Sequence, residues 1–360
     1  MLKSSESLKA LELEAQQAVR RVLGDVPIIG DIDIPAEPHI AGPDRGIDFV
    51  AHIQIQRQSW KIVCEVKSTG QPRIVREAAL KLRAASAQFG SRVVPILVTP
   101  YLSNDARETC RELAVNYLDL EGNCRIAFDG IYIERESPSR PPVIKRELRS
   151  LFKPKSAQVL RVLLLHPNRT WKVTDLAQES DVSLGHISNV TSALIDREWG
   201  GRDENGFRLT RAATLLDNWR DNYEAPPGEV VRYYTLLHGK GFERAALQLV
   251  NETHGGVALA SFSAAEWLAP YGRISNHYVY ARREAMPLLR SILRAEPAVK
   301  GDNLVVTVLE NDGVMRDAIE PHPGIRTTGI VQTYLDLAQA GERGKEAAEH
   351  LRTERLSWLS

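Results

Sequence analysis

The chain has 360 residues with 46 basic and 46 acidic side chains, so its formal net charge is zero and no global charge draws it to nucleic acid or a membrane. An apolar content of 43 % with 26 % charged residues is ordinary for a water-soluble protein, and the length predicts two or three domains rather than a single core. Three cysteines, Cys64, Cys110 and Cys124, are odd in number and lack metal-ligand spacing, which suits a reducing cytoplasm.

Residues 4–23 predict a helix whose stripe is Leu8, Leu11, Ala15, Ala18, Val19 and Val22. Glu12 falls inside that stripe and Glu14 falls off it. Residues 24–40 are punctuated by Pro and Gly, with an edge strand expected at Val26–Ile34. Two β-branched, apolar runs follow, Ile47–Ile55 and Trp60–Val66, with Gln56–Ser59 as the turn between them. Three charges sit in these core strands: Asp48, Glu65 and Lys67. Glu65 and Lys67 are two apart and share a face.

Burying charge needs a reason. A divalent metal supplies one, because Mg²⁺ (or Mn²⁺) takes carboxylate oxygens and keeps waters and phosphate oxygens as its other ligands. Asp48 and Glu65 would hold the ion, with the Val66 carbonyl as a further donor. Lys67 would stabilise charge at a scissile phosphate. A structural ion pair between Lys67 and a neighbouring carboxylate is the simpler alternative.

The pattern Asp48, then Glu65-Val66-Lys67, resembles the PD-(D/E)XK nuclease superfamily, with Ile47 in place of the motif's Pro. The resemblance implies a restriction-endonuclease-like α/β domain over 1–136, metal-dependent phosphodiester hydrolysis, and a first-helix glutamate at the site. Glu12 is the candidate for that fourth catalytic group.

Further along, Pro72 is placed to start a helix running to about Phe89, and Val93–Val98 is a buried strand. Asn104–Asn116 predicts a helix capped by Asn104, and Tyr117–Leu120 with Arg125–Phe128 a hairpin. Asp119 and Glu121 read as turn residues rather than metal ligands. Strands alternating with helices indicate an α/β layer. Residues 137–142, Ser-Pro-Ser-Arg-Pro-Pro, form a linker that opens a basic stretch to 154 and beyond. Arg140, Lys145, Arg146, Arg149, Lys153, Lys155, Arg161, Arg169 and Lys172 face a single acid, Glu147, a local surplus suited to phosphates.

Residues 155–222 predict a winged helix-turn-helix. Ser156 caps a first helix, Thr174 a second, and Ser183 a third at Leu184–Arg197. Leu184, Ile187, Val190, Leu194 and Ile195 face inward. The other face carries Gly185, His186, Ser188, Asn189 and Ser192, the short hydrogen-bonding side chains that a helix in a major groove requires. Gly200–Thr210 reads as the wing, with Arg202 and Arg208 for phosphates.

Pro226-Pro227-Gly228 marks the last boundary, and 229–360 reads as a mixed α/β domain with helices at Gly241–Glu252, Ile330–Ala340 and Lys345–Glu354. Strands are expected at Val257–Ser261, His277–Ala281 and Leu304–Leu309. The histidines have no ligand spacing.

Over 155–360 the chain resembles the AbiEi family of antitoxins from type IV toxin–antitoxin systems. The residues carrying this are Gly239-Lys240-Gly241-Phe242, Ala258–Glu266, Ile330–Leu337 and Ala347-Ala348-Glu349-His350-Leu351. The resemblance implies a bacterial DNA-binding transcription regulator opposing a nucleotidyltransferase-like toxin. Many such proteins consist of little more than these two parts, so the nuclease-like domain departs from the plan.

Three readings follow: a DNA-binding regulator of the antitoxin type, a Mg²⁺-dependent DNA endonuclease cutting through Asp48, Glu65 and Lys67, and a protein-interaction scaffold. Double-stranded DNA is the expected partner in the first two, and a homodimer on paired half-sites is compatible with them. No run of about 18 apolar residues and no apolar leader is present, so neither a membrane span nor a signal peptide is expected.

Overall fold

The computed structural model describes residues 2–35, 47–137, 141–272 and 276–356. Part of the linker (138–140, including Arg140) and part of the 24–40 stretch (36–40) lie outside them. The fold is mixed α/β throughout, and the chain divides into two compact units, Met1–Arg146 with Leu194–Glu198, and Glu147–Ala193 with Trp199–Ser360.

The first unit is one seven-stranded sheet in sequence order. Helix α1 (Leu2–Gly24) precedes β1 (Ile29–Asp33), β2 (Phe49–Ile55) and β3 (Gln58–Val66). Then come α2 (Pro72–Ser86), β4 (Val93–Thr99), α3 (Asn104–Glu112), β5 (Asn116–Asp119), β6 (Cys124–Phe128) and β7 (Ile131–Arg135). The first three strands are antiparallel, and β3, β4 and β5 run parallel, with α2 and α3 as crossovers. Because side chains alternate, the sheet builds a core on each face. Phe49, Ala51, Ile53, Ile62, Cys64 and Ile96 pack with Ala15, Val19 and Leu23 of α1. Val50, Val63 and Leu97 pack with Val75, Ala78 and Leu82 of α2 and with Ala106 and Cys110 of α3. All three cysteines are free and buried.

Several local expectations shift. Leu8 is exposed, so the buried stripe of α1 starts later. The cap of α3 is Ser103, whose Oγ accepts the Ala106 N–H, rather than Asn104. Asp119 is buried and accepts from Leu102 N (2.9 Å), Asn123 N (2.9 Å) and Asn123 Nδ2 (2.8 Å), so it pins its own turn.

In the second unit, α4 (Pro142–Leu151) leads to α5 (Pro154–Leu165), α6 (Val173–Ser180) and α7 (Leu184–Asp196). The hairpin β8 (Gly200–Asp203) with β9 (Gly206–Leu209) follows, then α8 (Ala212–Asp221). Trp171 bridges to Phe207 as a one-residue third strand. Proline at the first turn sets the start of α5, and Lys153 rather than Ser156 is its cap; Lys172 likewise precedes α6 in place of Thr174.

The rest is a second seven-stranded sheet, from β10 (Gly228–Tyr234), α9 (Lys240–Glu252), β11 (Val257–Leu259), α10 (Ser261–Leu268), β12 (His277–Ala281) and α11 (Met286–Ile292). It continues with β13 (Glu296–Pro297), β14 (Leu304–Leu309), β15 (Ile319–His322), β16 (Ile325–Thr327), α12 (Ile330–Ala338) and α13 (Gly341–Arg355). The strand order is β13-β10-β14-β12-β11-β16-β15. Among the described residues no helix is long and apolar enough to cross a membrane.

Candidate functional site

The β2–β3 ladder builds the first site. Its register pairs Phe49 with Cys64 and Val50 with Val63; the Asp48 N–H then also goes to the Cys64 carbonyl, at 2.9 Å, so the pairing shifts by one residue at the strand end. Asp48 is near enough to Glu65 for its charge to act on that carboxylate. Asp48 Oδ2 accepts the Val66 N–H at 2.5 Å, which fixes its carboxylate at the strand end. Lys67, on the same face as Glu65, brings Nζ to 2.6 Å from Glu65 Oε1.

Glu65 is 1 % exposed, and its Oε2 is buried without a hydrogen-bond partner among the described residues. Burial raises its carboxyl above the ordinary glutamate value. The Lys67 ammonium pulls it back down, and the charge of Asp48 pushes it up again. Glu12 is half-buried on α1; burial raises its carboxyl first and Asp48 second, so Glu12 approaches from the Asp48 side. It does not complete a three-carboxylate group. Among the described residues no three His, Cys, Asp or Glu side chains are grouped to hold a metal ion.

Two carboxylates and a carbonyl nevertheless fit a hard dication, which needs only one or two protein carboxylates and draws its other ligands from water and phosphate. An unpartnered buried carboxylate oxygen is the atom such an ion would satisfy. Asp48 and Glu65, with the Val66 carbonyl, would hold Mg²⁺ or Mn²⁺. When bound there, the ion would supply an acidified water and charge stabilisation at a phosphate. Lys67, 34 % exposed, keeps an ammonium at the mouth of the site beside the carboxylate.

Thr99 was not legible in the sequence as a site residue. Extending the pairing of Glu65 with Leu97 and Val66 with Val98 sets Thr99 beside Lys67. Its hydroxyl is buried without a partner among the described residues. Its place at the C-terminal end of a parallel strand, where α/β sheets bind ligands, is the only signal that could have found it.

The second site is the open face of α7. Ser183 precedes the helix and is exposed, as are Gly185, Ser188, Asn189 and Ser192, while Ile187, Val190 and Leu194 are buried. Two expectations change here. Leu184 is 53 % exposed and joins the polar face. His186 is half-buried, with Nε2 3.0 Å from Ser156 Oγ of α5, so its ring ties two helices together.

In the hairpin, Arg202 lies opposite Phe207 and Arg208 opposite Gly201, so the two arginines leave by opposite faces. Arg202 Nη2 donates to Thr191 Oγ1 of α7 at 3.0 Å, and Arg208 is exposed on the other side. Of the basic stretch, Arg161 is withdrawn from any surface role. It is 3 % exposed and bound to Asp317 at 2.8 Å and to the Gly313 carbonyl at 2.7 Å.

Compared with protein-family models, with curated proteins and with solved structures, the chain matches none of them.

Proposed function

We propose that this protein binds duplex DNA through α7 and the β8–β9 wing, and that it hydrolyses phosphodiester bonds at Asp48, Glu65 and Lys67 with Mg²⁺ or Mn²⁺. The observation that carries the hydrolytic reading is Glu65. A carboxylate 1 % exposed, pushed up further by the charge of Asp48 and touched at one oxygen by Lys67, is an unfavourable arrangement for a purely structural role. Lys67 beside it supplies the positive charge that a phosphate in transition needs. DNA binding is supported by the α7 face of Gly185, Ser188, Asn189 and Ser192, small or short polar side chains that let a helix approach base edges.

The test is cleavage of plasmid and short duplex DNA with Mg²⁺ and with Mn²⁺, wild type beside Asp48→Ala and Lys67→Ala. Loss of cleavage in both variants with duplex affinity retained is the expected result. Cleavage that survives Asp48→Ala would rule out this site.

One observation favours a second reading. Asp48 Oδ2 is engaged by the Val66 N–H, and Glu65 already contacts Lys67, so the site is partly closed on its own residues. That suits a non-hydrolytic DNA-binding regulator, for which the resemblance to AbiEi antitoxins implies a nucleotidyltransferase-like toxin as partner. Full-length protein without cleavage on DNA, RNA and branched substrates, but with tight duplex binding, would favour it.

A further inference from the structure

The second unit carries a half-open cavity of about 280 Å³ that neither reading uses. This volume is near the low end of small-molecule sites, which span roughly 300–1,000 Å³. It admits a molecule of one or two rings. Phe152 forms one wall and is backed by the buried Trp219, their rings stacked at 5.7 Å between centroids and 4° from parallel. Pro154, Ala157, Pro227 and Val314 extend the apolar lining. Planar apolar walls of this kind select a flat ring.

Charge decides what the ring carries. Arg161 lines the cavity, but its guanidinium is taken up by Asp317, the Gly313 carbonyl and, at 3.4 Å, Gln332 Oε1. Glu224, the one acidic lining residue among those described, lies 3.3 Å from Arg149 and pairs with it. Lys153 adds a second rim cation, on the exposed residue just before α5. The rim therefore offers more positive than negative charge above an aromatic floor.

We propose that this cavity is a binding site for a small planar aromatic anion, its ring against Phe152 and its carboxylate or comparable group at Lys153. An aromatic body in an apolar slot with one charged end held at the rim is how such sites gain both affinity and orientation. The proposal does not depend on either role assigned to the DNA-facing surfaces.

The experiment is isothermal titration of the full-length protein with 1-naphthoate, and in parallel with 1-naphthylmethylamine as the cation of similar shape. Saturable one-to-one binding of the acid, with the amine at least tenfold weaker, is expected. Lys153→Glu should weaken the acid at least tenfold, whereas Lys155→Glu, two residues on and outside the cavity lining, should leave it unchanged. Ala157→Leu, which fills the slot, should also weaken it; if that variant melts early, Lys153→Glu decides alone because the residue is exposed. Absence of saturable binding, equal affinity for acid and amine, or undiminished affinity in Lys153→Glu would overturn the assignment.

Discussion

Glu65 and Lys67 leave β3 on the same face, and Lys67 Nζ reaches Glu65 Oε1 at 2.6 Å although the carboxylate is 1 % exposed and the ammonium 34 %. The pair is unequal: the acid is desolvated while the base stays wet. Burial therefore outweighs the ammonium and leaves the Glu65 carboxyl raised.

A raised carboxyl has a defined pH signature. In acid Glu65 is protonated in both folded and unfolded chains and carries no penalty. As pH rises past the ordinary glutamate value the unfolded chain releases its proton first, so stability falls until the folded carboxyl also ionises. Glu65→Gln should then melt a few degrees higher than wild type at pH 8 without metal, with the gap closing toward pH 4. Added Mg²⁺ should raise the melting temperature of wild type and leave the variant where it was. Calorimetry at both pH values checks this, and a gap independent of pH would remove the desolvation account.

The turn after Lys67 depends on Gly70. A Cβ there would stand 1.8 Å from the Tyr101 carbonyl oxygen and 2.9 Å from its carbon, both backbone atoms. That backbone is held in turn, since the next amide, Leu102 N, is bound to Asp119 Oδ2 at 2.9 Å. Gly70→Ala should destabilise the first unit by roughly 1–3 kcal/mol or more, the usual range for overpacking. Urea unfolding gives the answer directly, and an unchanged midpoint would show that the loop yields.

These cases mark what the sequence could say. The strand that follows Asp48 and the one that carries Glu65 were legible because β-branched runs broken by a polar turn have few other solutions, and the wing and α7 because their spacing is local. Strand β7 was missed since Ile131–Arg135 alternates against solvent at a sheet edge, and β10 since Val230, 57 % exposed, hides which face is buried. Leu184 was misplaced, and the bond that holds His186 was not legible, because helical spacing gives the side of a helix, not what another helix offers it. Ser156 on α5 and Asp317, far along the chain, decide the fates of His186 and Arg161, and no local pattern records either contact.

A second titration lies at α12. Asp336 is buried and accepts from Tyr280 (2.9 Å), Gln332 (2.9 Å) and Tyr223, yet burial still pushes its carboxyl up to about 6 from an ordinary 3.8. The unfolded chain ionises near 4 and the folded one near 6, so stability is lost as pH rises across that interval and is level above it. The amount is roughly 3 kcal/mol, at 1.36 kcal/mol per pKa unit. Asp336→Asn keeps an acceptor for both tyrosines and should flatten the profile between pH 4 and 6. Thermal unfolding across that range would show an equal slope in both proteins if another group were responsible.

Asn189 and His186 occupy the same helix but should fail in different ways. Asn189 is exposed, so Asn189→Ala should leave stability within about 0.5 kcal/mol, as most surface changes do. If α7 enters a major groove, the same change should weaken a specific duplex by roughly 1–3 kcal/mol. His186→Ala removes the 3.0 Å contact to Ser156 and should lower stability by roughly 0.5–1.5 kcal/mol, as should Ser156→Ala. Because both variants break one bond, the double variant should be no worse than the weaker single, a coupling that a double-mutant cycle reads out. Additive losses would mean that His186 and Ser156 act separately. Loss of duplex affinity in His186→Ala with stability intact would return that ring to the DNA-facing surface.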